Sequence, residues 1–94
     1  VWTVIAIVAV PPGADPEALR SALEDSAVPT ARADADVASA IWPLSDDRAT
    51  GIGVTVYASE TAARARAATL TVGAPAPGGA TITAVHLLEV LARI

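Results

Sequence analysis

His86 is the only histidine in the 94-residue chain, and cysteine is absent. It is therefore the only side chain whose unperturbed pKa lies near neutrality. It sits in a largely apolar run, Thr81 to Ala92. There it is a candidate general base or acid, and equally a structural histidine of a core or interface, because no catalytic partner stands beside it in the sequence. Glu89 is the matching oddity on the other face of the run. A carboxylate there can act as an acid with a raised pKa, or pair with an arginine, including one from a partner chain. Trp2, Trp42 and Tyr57 are the only aromatic residues. Each falls on a predicted strand, where it can line a ligand cleft or pack in a core.

Other chemistries are poorly provided for. Without cysteine there is no thiol nucleophile, thiolate metal site or disulfide. One histidine makes a histidine-built zinc or copper site improbable, so no metal is expected. All six basic residues are arginine, which removes Schiff-base chemistry and a phosphate-loop lysine. No serine lies in a G-x-S-x-G pattern, so the serines read as caps and turns. Gly51-Ile52-Gly53 lacks a third glycine and opens no helix, so it is no nucleotide loop. Asp34 and Asp36 are too few for a calcium loop and read as a solvated turn. The net charge of −4 argues against a nucleic-acid groove and against an anionic membrane surface.

The element that organises these residues is the opening run Val1 to Val10, VWTVIAIVAV. Both its odd and its even positions are apolar. A strand wetted on one face alternates, whereas a strand covered on both faces does not. At ten residues it is too short to span a bilayer. It has the length of a signal-peptide core, but no basic segment precedes it and no cleavage pattern comes after it, so the expected location is cytoplasmic.

After Pro11-Pro12-Gly13, Asp15 caps a helix that starts at Pro16 and is predicted over 16–27, with Leu19, Ala22 and Leu23 on one stripe. Residues 29–36 read as a connector. Val37 to Leu44 and Gly51 to Ala58 read as a hairpin of two strands, with Pro43 marking an edge or bulge. Ser59 caps a helix over 60–70, whose small residues suit close packing on a sheet. Residues 73–80, GAPAPGGA, read as an irregular surface loop. Residues 81–92 form the last strand, with His86 on the face of Ile82, Ala84, Leu88 and Val90.

The order strand, helix, strand, strand, helix, strand predicts one α+β domain over 1–94. It is a ferredoxin-like β-α-β-β-α-β antiparallel sheet with two helices on one face. A chain of this size buries only about 60–65% of its unfolded surface. The uncovered face of the first and last strands is apolar, so a homodimer with two facing sheets is the expected remedy.

The opening strand with Asp15-Pro16-Glu17-Ala18-Leu19-Arg20, the junction Val56-Tyr57-Ala58-Ser59-Glu60-Thr61-Ala62-Ala63-Arg64 and the closing Val85-His86-Leu87-Leu88-Glu89-Val90-Leu91-Ala92 carry a resemblance in layout. The chain resembles the dimeric α/β-barrel superfamily, in particular its small actinobacterial proteins similar to antibiotic-biosynthesis monooxygenases. The resemblance implies a homodimeric barrel with a cleft between helices and sheet. It also implies cofactor-free oxygenase or isomerase-like chemistry on an apolar, polyketide-derived substrate. It assigns no catalytic residue position by position. The alternative is a non-catalytic ligand-binding or assembly homodimer. An enclosed cavity holding His86 with Trp2, Trp42 or Tyr57 favours the first; a cleft filled by leucine and valine favours the second.

Overall fold

The computed structural model describes every residue, Val1–Ile94. Strand β1 (Trp2–Ala9) is followed by helices α1 (Pro16–Asp25) and α2 (Ala27–Ala33), then β2 (Val37–Ile41) and β3 (Thr50–Tyr57). Helix α3 (Glu60–Thr69), the two-residue β4 (Pro75–Ala76), a 3-10 turn at Pro77–Gly79 and β5 (Ala80–Glu89) complete the chain. The sheet is antiparallel throughout, in the order β2-β3-β1-β5-β4. With β4 set aside as an edge addition, this order is consistent with a ferredoxin-like plan. No helix is long and apolar enough to cross a membrane.

Residues paired across an antiparallel ladder share a face. Trp2, Val4, Ala6 and Val8 of β1 pair with Tyr57, Thr55, Gly53 and Gly51 of β3. These positions face the helices. The small core is Val4, Tyr57 and Ala63, with Trp2, Val37, Val85 and Leu87 packed against it. Ala63 is the point where α3 seats on the sheet, as its small-residue stripe predicts. The other face carries Ile5 and Ile7 paired with Val54 and Ile52 on one side and with His86 and Ala84 on the other.

Four local expectations are corrected. The connector predicted over 29–36 is largely helical, and the first helix is interrupted at Ser26 instead of running to 27. Pro29 is the third residue of α2, where a backbone N–H has no intrahelical partner in any case, so proline costs little there. Only its end, where the Asp36 amide donates to Asp34 Oδ1 at 2.9 Å, is the expected turn. Strand β2 stops at Ile41, which leaves Trp42 just outside it; past Pro43, pairing with β3 survives as a single bridge, Leu44 with Gly51. Residues 73–80 are not irregular throughout, since Pro75–Ala76 pairs with the start of β5. Last, β5 contains a bulge. Ala84 pairs with Ile7 but Ile82 pairs with Val8, so Thr83 is extra, and its hydroxyl donates to Ile7 O at 3.1 Å. An extra residue flips the remainder of the strand to the other face. Ile82 is therefore buried beneath the helices and does not share a face with His86.

Candidate functional site

The two helical layers sit differently on the sheet. Helix α3 packs directly on β1, β3 and β5, whereas α1 packs on α2 and on the Pro77–Gly79 turn. Its leucine stripe, Leu19 and Leu23, is only half-buried. Between that stripe and the sheet lies a cleft of about 690 Å3.

The floor of the cleft is set by small residues. Gly51 and Gly53 lie two apart on β3 and so open the same face to neighbouring groups; Ala6 sits beside Gly53 in the register, and the Val8 and Val10 side chains stand over Gly51. Glycine inside a strand often marks close approach by a ligand or another group. Here Trp42 takes that place: a methyl group on Gly53 would meet its indole Cδ1 at 3.3 Å and Nε1 at 3.5 Å. The remaining walls are Leu19, Leu23, Val28, Ile82 and Pro77, so the cleft is mostly apolar. Its charged lining is Arg20, Glu24 and Arg66. The hollow is thus mostly apolar, with a few charged groups at its margin.

The five residues singled out in the sequence are not brought together: Glu89 stands exposed at the end of β5, paired with Trp2. Trp42 lines the cleft. Tyr57 is only 3% exposed and belongs to the core with Val4 and Ala63. Trp2 packs against the same cluster, with the Arg64 guanidinium 5.5 Å from its ring centroid. Arg64 is also held by Glu60 at 3.1 Å. Both aromatics act as packing groups, and burial pushes the Tyr57 phenol up, an effect Arg66 opposes and Asp34 reinforces.

His86 lies on the opposite face of the sheet, exposed, across from Ile5. It cannot reach a molecule bound under α1. Nor does any group of three or more acidic, histidine or cysteine side chains stand together as a metal-binding set. The cleft has neither the histidine that would mark a catalytic cavity nor a filling of leucine and valine. It is an open apolar site with one aromatic wall. The residues that sequence reasoning missed are Gly51, Gly53 and Arg66. The signal for the glycines was their spacing of two within a strand. Arg66 had none, because its position over the cleft depends on where α3 docks.

No family model, curated protein or solved structure matches this chain.

Proposed function

We propose that the chain is a small-molecule cleft protein that binds an apolar ligand and works as a homodimer of the dimeric α/β-barrel kind. The observation that carries the reading is the gap beneath α1. An amphipathic helix normally buries its apolar stripe directly on the sheet. Here Leu19 and Leu23 line the same open cleft as Ala6 and the Trp42 indole that covers Gly53, and an apolar guest would complete that contact.

Binding without catalysis is the better supported form, because no histidine lines the cleft and the chain has no cysteine. The resemblance to cofactor-free oxygenases of polyketide biosynthesis supplies the catalytic form. The flat indole of Trp42 against Gly53 favours it, since it offers a stacking surface to an aromatic substrate.

Dimerisation is proposed through the open sheet face. Its positions include Ile5, Ile7, Ile52, Val54, Val56 and Leu88, and no Asp, Glu or Arg lies among those paired across β1, β3 and β5 on that side. For a chain of net charge −4, a second copy can approach at such a face without bringing like charges together. With strands ~4.8 Å apart and ~3.3 Å per residue, the face covers roughly 500 Å2. Two of them bury roughly 1,000 Å2, the threshold for a biological interface and below the range of stable ones.

The test is titration with 1-naphthol, followed by tryptophan emission and calorimetry. Saturable binding should quench Trp42, and Trp42→Phe should remove most of the quench. Leu23→Asp should weaken binding about 10-fold or more by placing a charge against the ligand. His86→Gln should bind like the parent, because it lies on the other face. Oxygen uptake with a polycyclic phenol then separates the two forms: uptake supports the oxygenase, and binding without uptake supports the carrier. Absence of saturable binding would overturn the cleft reading.

A further inference from the structure

We infer that the cleft is built for an amphipathic monoanion, with a hydrocarbon body under α1 and a carboxylate held by Arg66. The inference rests on the cleft reading above and names the class of ligand.

The three charged groups at the cleft are not equivalent. Arg20 is already paired with Glu17 at 3.0 Å. Arg66 forms no ion pair; its Nη1 donates only to the Thr69 hydroxyl, at 3.3 Å. A guanidinium carries five N–H donors in a fixed fork that matches a carboxylate. Most of that fork is therefore available. Arg66 stands in the last turn of α3, one turn before Leu70, and both residues line the cleft. A cation and an apolar wall thus lie side by side, which is the pattern an amphiphile needs.

Glu24 sets the limit on charge. It lines the cleft from α1 and also has no salt-bridge partner. A ligand with one anionic end can direct it to Arg66 and leave hydrocarbon near Glu24. A ligand anionic at both ends would bring its second carboxylate towards Glu24, and like charges repel. The polarity of the site is thus fixed by two side chains on different helices. The hydrocarbon body would lie in the apolar part of the cleft lined by Leu19, Leu23, Leu70, Ala6 and the Trp42 indole.

The experiment is isothermal calorimetry of the whole chain at low salt with octanoate, decanoate, decanol and decanedioate. Each buried methylene should tighten binding about fourfold, so decanoate should exceed octanoate. Arg66→Gln should weaken decanoate about 10-fold and leave decanol within about twofold, because only the charged hydrogen bond is lost. Arg66→Lys should recover part of the decanoate affinity. Arg32→Gln, on α2 and outside the cleft lining, is the control and should change neither ligand. Decanedioate should bind more weakly than decanoate, and Glu24→Gln should narrow that difference. If Arg66→Gln weakens decanoate and decanol equally, or neither, the assignment of the carboxylate to Arg66 is overturned while the apolar cleft stands. Decanedioate binding as tightly as decanoate would overturn the single-charge limit. If neither decanoate nor decanol binds, the cleft reading itself fails, and this inference fails with it.

Discussion

The phenol of Tyr57 lies in the core under α3, and burial holds its pKa above the ordinary value of about 10. A raised acid pKa means that the folded chain keeps a proton the unfolded chain has released. The resulting stability is complete below pH about 10 and is lost as pH rises from there through the folded value. Tyr57→Phe should flatten that alkaline loss in urea midpoints measured between neutral and strongly alkaline pH. An unchanged slope would show that the phenol is hydrated in the fold. Asp47 works in the opposite sense at the surface. The Ala49 amide and the Ser45 hydroxyl both donate to its Oδ1 and lower its pKa, so its small contribution is present above the ordinary carboxylate range and fades in acid. The two residues mark different uses of polar groups in a chain with few of them. One is buried where it can remain neutral, and the other ties the turn between Ser45 and Ala49.

At the scale of elements, the critical join is the one between α1 and the turn before β5. Gly78 has φ +77, and a methyl group there would stand 2.5 Å from Leu19 Cδ2. Gly78→Ala would impose left-handed backbone strain and force the Leu19 side chain, part of the cleft roof, to move aside. A loss of about 1–3 kcal/mol is expected, together with weaker ligand binding, measured by urea unfolding and by the naphthol titration. Retained stability would mean that the turn tolerates the left-handed strain and that Leu19 repacks at little cost. Much of the element order was legible. Asp15 and Ser59 cap the helices that begin beside them, accepting from the Glu17 and Ala62 amides, and the two-sided apolar runs do become the central strands β1 and β5. The errors arose where a local rule met a tertiary one. Pro29 opens the stretch read as a connector, but it falls in the first turn of α2. The Pro75–Ala76 pairing needs the start of β5 as its template, which no window of GAPAPGGA contains. The bulge at Thr83 has no signature in TITAVHLL, yet it decides that Ile82 and His86 part company. The cleft was legible only as an expectation of place, because its membership depends on that register and on how α1 is propped.

At the scale of the molecule, apolar surface is left uncovered on one side of the sheet and under one helix on the other. Only 8 of 94 residues are buried, while Ile41 and Leu88 on the open face are 61% and 47% exposed. Sedimentation equilibrium at micromolar concentration should give twice the chain mass. Val54→Asp should return the protein to a monomer, because a carboxylate would be desolvated against its copy. If Val54→Asp also leaves naphthol binding largely intact, the two faces are independent sites; a parent protein that stays monomeric would remove the facing-sheet arrangement. The overhang of α1 has a further consequence for the life of the protein. A guest that fills the space beneath that helix stabilises the folded state by mass action, by about 2.7 kcal/mol at a hundredfold excess over its dissociation constant. Proteases act on the opened chain, so the abundance of the protein would track the supply of its guest. If the proposed guest binds there, an empty copy would be cleared and a filled copy kept, and the hollow under α1 would then gauge ligand concentration without any dedicated regulator.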